Sequence, residues 1–209
     1  MNIIDPSFEV LGNVNGNDIL RSLEVIGRTC YKSETLITPY SSKIFVKNII
    51  TNGHESVLEH HIISAKITCD RGISHELVRH RIASFSQEST RYCNYYKKGE
   101  ITFIRPCFWK ESSYEYTVWV DSMEVAEKNY LFLIETGSTP QEARSILPNS
   151  LKTEIVMTMN LREWRHFFKL RALGIAGKPH PQMLEITIPM LEVFKTLIPI
   201  VFNDLQIIK

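Results

Sequence analysis

The stretch RHRIASFSQESTRY, from Arg79 to Tyr92, concentrates side chains that bind anions. Serines separate Arg81 from Arg91, and Glu88 is the one carboxylate in the run. A guanidinium presents a rigid fork of donors that matches a phosphate group, and serine hydroxyls and loop amides can add further contacts. The stretch therefore predicts a local site for a phosphate-bearing ligand.

Two more groups of basic side chains, Arg144 and the run from Arg162 to Arg171, could contribute to the same kind of site. The sequence contains neither the GxxxxGK[ST] phosphate loop nor the GxGxxG dinucleotide fingerprint. The histidine-rich segment HESVLEHH, which starts at His54, lacks the HExxH spacing of a zinc site. We therefore expect an anion site built from arginines, and no metal.

Composition limits the class of protein. The chain has 209 residues, 44% of them hydrophobic, which predicts a single domain over residues 1–209. The formal net charge of +1 provides no global field for nucleic acid or an anionic membrane. The first residues lack the features of a signal peptide, and the four cysteines show no zinc-ligand spacing. We expect a soluble, cytoplasmic protein.

Hydrophobic periodicity and capping residues predict the elements that position these groups. The pattern favours an α/β protein in the broad α+β sense, with helices around a small, mostly antiparallel sheet. Asn160 is the predicted cap of a helix that carries Arg162 and His166 four residues apart. The predicted helices cover about 17–31, 41–51, 75–81, 114–136, 140–147, 160–171 and a final helix broken or kinked at Pro189, with Pro199 as a second candidate position. The predicted strands cover 62–69, 101–106 and 150–160.

Several segments together resemble the flavin-dependent thymidylate synthases. Arg79-His80-Arg81, followed by seven residues and Ser89, is similar to the RHRx7S motif of that family. The other similar segments follow in the family's order and cover most of the chain: RTCYKS (28–33), GHESVLEHHIISAKI (53–67), EARSILP (142–148), NLREWRHFFKLR (160–171) and HPQMLEI (180–186).

The resemblance implies an enzyme that transfers the methylene group of methylenetetrahydrofolate to C5 of dUMP and reduces it, which gives dTMP. It implies FAD as the cofactor that donates the hydride, NADPH as the reductant, and tetrahydrofolate as the second product. It also implies a homotetramer with active sites where subunits meet. The net charge and the short apolar stretches of the chain predict no membrane or nucleic-acid partner. FAD lies outside any Rossmann frame in this family, in agreement with the missing GxGxxG.

The motifs transfer two sets of site residues to this chain. The implied nucleotide set, for dUMP, is Glu76, Leu77, Val78, Arg79, Gln87, Glu88, Ser89, Thr90, Arg91, Arg144 and Arg171. The implied flavin set, for FAD, is Ser56, Arg79, His80, Arg81, Gln87, Asn160, Leu161, Arg162 and His166, with His54 also near the flavin.

The resemblance also implies catalytic roles for two residues of the nucleotide set. Arg171 would stabilise the negative charge that develops on the pyrimidine when N3 loses its proton. Ser89 is expected to bind and orient dUMP, because the sequence offers no obvious base beside it. A nucleophilic attack by Ser89 on C6 is the minority alternative.

The chain departs from the family at four positions, and two other functions stay open. Family members commonly have Asn-Glu-Gln before the motif serine, where this chain has Ser86-Gln87-Glu88, and Glu76 stands where Gln is expected. One alternative is a single-stranded nucleic-acid binder, since RYCNYYKKGE (91–100) interleaves aromatic and basic residues. The other alternative is an inactive flavin-binding relative.

Overall fold

In the computed structural model, which describes residues 1–207 apart from the side chain of Lys98, six strands form two sheets. The strands are β1 (Asn2–Ile4), β2 (Ser7–Leu11), β3 (Ile62–Asp70), β4 (Ser84–Gln87), β5 (Thr102–Ile104) and β6 (Lys152–Asn160). β1 pairs with β5 in parallel, and the other four form a sheet in the order β2-β3-β6-β4.

The long strands β3 and β6 run antiparallel. The amide of Leu161 donates to the carbonyl of His61 at one end of the pair, at 3.0 Å, and the amide of Arg71 donates to the carbonyl of Leu151 at the other, at 3.1 Å. The predicted fold class, helices with a mostly antiparallel sheet, is confirmed.

Both long strands alternate buried and half-buried residues, as the period-two pattern predicted. Polar residues such as Lys66 and Glu154 occupy the half-buried positions. Most of the buried positions are apolar and include Ile63, Ala65 and Ile67 of β3 and Ile155, Met157 and Met159 of β6, while the buried polar residues are Asp70 and Thr153.

Helices make up much of the rest of the described chain. They are α1 (Gly16–Thr29), α2 (Ser41–Thr51), α3 (Arg71–Leu77), α4 (Tyr114–Glu135), α5 (Pro140–Ala143), α6 (Leu161–Arg171), α7 (Pro181–Leu197) and α8 (Pro199–Phe202). Short 3-10 helices cover Glu34–Leu36, Glu55–His60, Tyr95–Lys98 and Arg144–Ile146.

Two helix predictions were wrong in their limits. The helix expected over 75–81 is α3, which begins earlier because the Asp70 carboxylate caps it by accepting a hydrogen bond from the amide of Ile73 at 2.7 Å. α7 continues through Pro189, where a break was predicted, but a helix boundary does fall at the second candidate position, since α7 ends at Leu197 and α8 begins at Pro199. Pro189 is exposed, so water can bond to the carbonyl that the proline nitrogen cannot reach. Neither β1 nor β2 was predicted.

The chain divides into two compact units. The first unit contains Met1–Phe8, Lys66–His80 and Phe85–Val156. The second unit contains Glu9–Ala65, Arg81–Ser84 and the chain from Met157 on. The prediction of a single domain over residues 1–209, of which 208 and 209 lie outside the described part, stays a prediction.

Each unit has its own aromatic core. In the first unit the buried face of α4 supplies Tyr116, Trp119 and Tyr130, and the Trp119 indole N–H donates to the Ser150 hydroxyl at 3.0 Å. In the second unit the Trp164 indole N–H donates to the carbonyl of Ile63 at 3.0 Å. Trp164 packs there in a cluster of rings from α6, α7 and α8, with Phe167, Phe168, Phe194 and Phe202.

Candidate active site

The end of α3 presents the first members of the nucleotide set. Leu77 is buried and fixes the last turn, Glu76 is half-buried, and Val78 is exposed. The RHR tripeptide follows, with Arg79 and Arg81 exposed, and with the ring of His80 only 5% exposed. The side chains that this tripeptide offers to solvent are therefore its two arginines.

Gln87 ends β4 and is fixed by two hydroxyl groups of the first unit. Its amide nitrogen lies 2.9 Å from the Ser74 hydroxyl and 3.2 Å from the Thr153 hydroxyl. Because these bonds hold the side-chain nitrogen, they set the orientation of the whole carboxamide. Gln87, one of the departures from the family pattern, is thus positioned by its neighbours before any ligand binds.

Glu88, another departure, belongs to an internal network of the first unit. One carboxylate oxygen accepts from the Tyr95 hydroxyl at 3.1 Å, and the other accepts from the Lys152 ammonium at 3.1 Å. Lys152 also contacts Glu154 at 2.7 Å, and Glu154 pairs with Lys66 at 2.6 Å. Both oxygens of Glu88 are bonded within the chain, and these bonds hold the residue next to Ser89 in place.

The charges in this network stabilise one another. Hydrogen bonds from Lys152 and Lys66 lower the pKa of Glu154 to about 2. Burial opposes the charge of Lys152, but hydrogen bonds to Glu154 and Glu88 outweigh it, and the pKa of Lys152 is raised. Burial and then the Glu88 carboxylate raise the pKa of the Tyr95 hydroxyl, which keeps this donor protonated. Glu154 and Lys152 are therefore charged at neutral pH, and Tyr95 is neutral.

The motif serine lies in a turn that carries two more members of the nucleotide set. The Ser89 hydroxyl accepts from the Arg91 amide at 3.3 Å, and within residues 1–207 no imidazole or carboxylate is bonded to it. A guanidinium nitrogen of Arg144 lies 3.5 Å from the hydroxyl of the buried Thr90. The fold thus brings Arg144 to the motif loop, 54 residues away in sequence.

Arg79 and Arg91 are exposed, and within residues 1–207 neither guanidinium group has a carboxylate partner. The Arg91 guanidinium carbon lies 5.3 Å from the centre of the Tyr92 ring, a cation–π distance that leaves its N–H groups able to donate. The guanidinium groups of this part of the first unit are therefore ready to receive an anion.

The start of α6 carries the centre of the flavin set. The predicted cap is confirmed, since the Asn160 carboxamide oxygen accepts from the Glu163 amide at 2.8 Å. Leu161 is buried, and its amide bonds to the carbonyl of His61. Arg162 and His166 lie one turn apart and are exposed. The Asn160 cap fixes the first turn of α6, and it therefore sets the direction in which the side chains of Arg162 and His166 project from the helix.

A cavity of about 480 Å³ in the second unit is lined by three members of the flavin set, Asn160, Arg162 and His166. Lys169 extends the line of Arg162 and His166 by one more turn, a helical spacing that could have predicted its place here. These donors suit the phosphates of a flavin nucleotide, and carboxylates beside them suit ribose hydroxyl groups. The lining residues are Glu55, Glu59, Ile82, Asn160, Arg162, Glu163, His166 and Lys169.

Carboxylates offset the positive charge of this cavity. A guanidinium nitrogen of Arg162 lies 2.5 Å from a carboxylate oxygen of Glu59, and this hydrogen bond raises the pKa of Arg162. Burial raises the pKa of Glu163, against the opposing effect of His166 and Arg162. An anionic ligand must therefore compete with Glu59 for Arg162. Glu59 was not predicted as a site residue, although it lies in the GHESVLEHH segment.

A second cavity of about 400 Å³ contains His54 and Ser56 of the flavin set. Tyr31 and Cys30, from the RTCYKS segment, line the same cavity. A ring nitrogen of His54 lies 3.2 Å from the Tyr31 hydroxyl. The fold therefore joins two motifs that are separate in sequence, and Tyr31 is a site candidate that the sequence prediction missed.

The buried side chain of Arg165 stabilises the segment that contains His54 and Ser56. It is 2% exposed, bonds to the Asp204 carboxylate through two nitrogens at 2.7 Å, and lies 3.2 Å from a carboxylate oxygen of Glu55. A third contact goes to the carbonyl of Val201. Because Glu55 stands between His54 and Ser56, Arg165 fixes the backbone of that segment. No motif spacing pointed to it.

Arg171, the predicted catalytic arginine, is the last residue of α6 and is half-buried. Its carbonyl oxygen accepts from the hydroxyl of Thr187 on α7 at 2.8 Å, which fixes the end of the helix. It belongs to the second unit, whereas the other ten residues of the nucleotide set belong to the first unit.

Within residues 1–207, no group of three His, Cys, Asp or Glu side chains is arranged to hold a metal ion. None of the helices described above is long and apolar enough to cross a membrane.

Comparison with known proteins identifies the family. Residues 14–200 match the Thy1 family, described as thymidylate synthase complementing protein, and the chain belongs to this family. A flavin-dependent thymidylate synthase of Geobacter sulfurreducens is 32% identical over 190 residues, which cover 88% of this chain and 80% of that protein.

Other relatives and a solved structure extend the comparison. The Pyrococcus horikoshii flavin-dependent thymidylate synthase is 39% identical over 158 residues, which cover 75% of this chain but only 64% of that protein. The match with the Thermococcus onnurineus enzyme spans 54% of that enzyme. The UMP/dUMP methylase PolB of Streptomyces cacaoi, solved with 5-Br dUMP, shares the fold, with a TM-score of 0.80, 20% identity and coverage of 97% and 96% of the two chains.

Proposed function

We propose that this protein is a flavin-dependent thymidylate synthase, which methylates dUMP to dTMP. The observation that carries the proposal is the family match over residues 14–200, because all the motif segments between Arg28 and Ile186 lie inside it. The names of the relatives support flavin dependence, and the name of the Streptomyces methylase supports a uridine nucleotide as substrate.

In this proposal, the first unit binds the phosphate of dUMP. Arg79 and Arg91 would donate charge-assisted hydrogen bonds to the phosphate, and Arg144 would join them from its place beside Thr90. The support is that Arg79 and Arg91 are exposed and have no carboxylate partner in residues 1–207. Ser89 would orient the nucleotide, since its hydroxyl already accepts from the turn amide of Arg91.

FAD is the proposed cofactor, with NADPH as its reductant. Arg162, His166 and Asn160 would hold it at the first cavity, and His54 and Ser56 at the second. Arg79, His80, Arg81, Gln87 and Leu161 complete the proposed set. A bound reduced flavin would supply the hydride that converts the transferred methylene group to methyl. The residues of this chain bind and orient it.

Arg171 is the proposed catalytic residue. C5 of uracil is a weak nucleophile, and it becomes stronger when negative charge develops on the ring after N3 loses its proton. A half-buried guanidinium stabilises that charge better than an exposed one, because less water screens it. The bond from Thr187 to the carbonyl of Arg171 holds the backbone at this position.

The remaining proposals concern partners and assembly. Methylenetetrahydrofolate is the proposed carbon donor and tetrahydrofolate the product that leaves. We also propose a single-domain subunit, a homotetramer with active sites where subunits meet, and a cytoplasmic location. The family match favours neither the nucleic-acid binder nor the inactive relative.

An anaerobic absorption experiment tests the function. The purified protein, supplemented with FAD, is recorded before and after NADPH, and then after dUMP and methylenetetrahydrofolate. We expect a flavin band that bleaches with NADPH and returns with both substrates, together with dTMP detected by chromatography. The control omits dUMP, and the band should then stay bleached.

Two results would contradict the proposal. If no flavin binds, then the central claim fails and the nucleic-acid alternative is next to test. If flavin binds and is reduced but no dTMP forms, then the protein is the inactive relative.

A further inference from the structure

The outward face of α4 in the first unit carries an apolar stripe. Tyr114, Val118, Val125 and Phe132 are 81%, 45%, 57% and 61% exposed. At about 100° per residue, these four side chains lie within about 40° of one another around the helix axis. They lie roughly opposite the face that supplies the core of the unit, so α4 is apolar on two sides and buries one of them in this chain.

Two charged residues flank the stripe on one edge. Asp121 and Lys128 are exposed and seven residues apart, about 10 Å along the helix, which is too far for an ion pair between them. Within the described residues 1–207, neither side chain has an ion-pair partner. An apolar stripe with seven-residue spacing and flanking charges is the pattern of a helix that packs against another helix.

We propose that this stripe binds the α4 helix of a second copy of the chain, antiparallel about a two-fold axis at Val125. In that register Val125 lies opposite Val125 of the second copy, and Val118 lies opposite Phe132 of the second copy. Asp121 lies beside Lys128 of the second copy, and by symmetry this pair forms twice.

The positions of these residues select a second copy over an unrelated partner. Val118 precedes Val125 by seven residues, and Phe132 follows it by seven. Asp121 lies four residues before Val125 and Lys128 lies three residues after it, so the two charges are nearly symmetric about Val125. A contact about a two-fold axis needs such symmetry about its centre, whereas a contact with a protein of different sequence does not. A parallel pair would place Asp121 against Asp121 and Lys128 against Lys128, and like charges disfavour it.

The stripe is one part of a larger contact. Its length from Val118 to Phe132 is about 21 Å, which is short for a complete interface between two proteins. Phe108 and Trp109, an exposed ring pair with centres 4.8 Å apart, lie in the segment that leads into α4 and offer more apolar surface. None of these residues belongs to the nucleotide or flavin set, so the contact can be tested whatever the activity of the protein.

Cysteine cross-linking tests the register. The exposed Cys30 and Cys107 are first replaced by serine, and Val125→Cys is then compared with Glu124→Cys, an exposed neighbour turned by about 100° around the same helix. On mild oxidation of the full chain, Val125→Cys should give a covalent dimer in most of the protein, and Glu124→Cys in little of it. Equal cross-linking of the two variants would overturn the proposal.

Charge reversal tests the pairing independently. Asp121→Lys and Lys128→Asp should each weaken self-association about ten-fold, because each variant places like charges together twice. The double variant should restore the wild-type dissociation constant, measured by analytical ultracentrifugation. Both positions are on the surface, and circular dichroism checks that the variants fold. Single variants that associate like the wild type, or a double variant that fails to recover, would contradict the antiparallel pair.

Discussion

The arginines proposed to bind ligands lie in different electrostatic settings in the two units. In the first unit, Arg79 and Arg91 are exposed without a carboxylate partner among residues 1–207, and the nearby Glu88 is bound to Tyr95 and Lys152. In the second unit, by contrast, Glu59 is already paired with Arg162 at 2.5 Å.

This difference corresponds to two kinds of ligand. A surface with unpaired guanidinium groups suits a compact dianion such as a nucleotide monophosphate. A cavity lined by Arg162 and Lys169 together with Glu55 and Glu163 suits a larger ligand that carries both phosphates and hydroxyl groups. Binding at the first unit requires no exchange of partners, whereas binding at Arg162 requires Glu59 to move.

The largest effect is expected at Arg171, the one member of the nucleotide set that lies in the second unit. Arg171→Ala should lower kcat for dTMP formation by about 100- to 1000-fold, the usual loss when one stabilising donor is removed. Flavin should stay bound, as measured by absorbance after gel filtration. The control is Arg21→Ala, an exposed arginine of α1 outside both sets. Turnover that survives in Arg171→Ala would assign ring activation to another residue.

A second variant tests the unpaired arginines of the first unit. Arg91→Ala should weaken dUMP binding by about 10- to 100-fold, since a charge-assisted hydrogen bond contributes roughly 1.5–3 kcal/mol. Lys97→Ala removes the same charge from an exposed site on the same loop and should change binding less than about two-fold. Calorimetry measures both constants. Equal losses of dUMP affinity in the two variants would mean that Arg91 acts only through its positive charge and donates no hydrogen bond to the phosphate.

Two variants with opposite expected effects on FAD affinity test the Arg162–Glu59 pair of the second unit. Arg162→Ala should weaken FAD binding about ten-fold, because a phosphate loses its donor. Glu59→Gln should tighten FAD binding about two- to five-fold, because the exposed ion pair that it removes is worth under about 1 kcal/mol. Flavin fluorescence titration measures both, with Glu34→Gln as an exposed control. Weaker binding in Glu59→Gln would identify Glu59 as a ligand contact.

The last prediction concerns whether the two units fold as one domain, and it expects the smallest difference between measurements. Trp119 reports on the first unit and Trp164 on the second, so each is left as the only tryptophan by changing the other two to Phe. In each variant, the denaturant midpoint from fluorescence should coincide with that from circular dichroism. A fluorescence midpoint that differs from the circular dichroism midpoint in either variant would show two domains that unfold separately.

Local patterns predicted those elements whose cause is local. The period of β6, the Asn160 cap and the start of α5, where the Glu142 carboxylate accepts from the Thr139 amide and hydroxyl, follow from residues within one or two turns. The motif segments likewise supplied the proposed site residues, which stay a prediction.

Contacts between distant residues were not predictable in this way. The carboxylate of Glu88 was expected at the nucleotide, but its partner Lys152 lies 64 residues away and gives no signal near Glu88. Tyr31 and His54 meet across 23 residues, and Arg165 and Asp204 across 39. Each of these pairs depends on how elements pack, and that information is absent from spacing within one segment.

The length of α6 sets the distance between the proposed flavin-binding residues at its start and Arg171 at its end. Asn160 and Arg162 stand at its start, and Arg171 ends it eleven residues from the cap, about 16 Å along a rigid axis. A one-residue insertion after Phe168 would turn Arg171 by about 100° and advance it by about 1.5 Å, even though every side chain is retained. The proposed chemistry therefore depends on the length of this helix as well as on its composition.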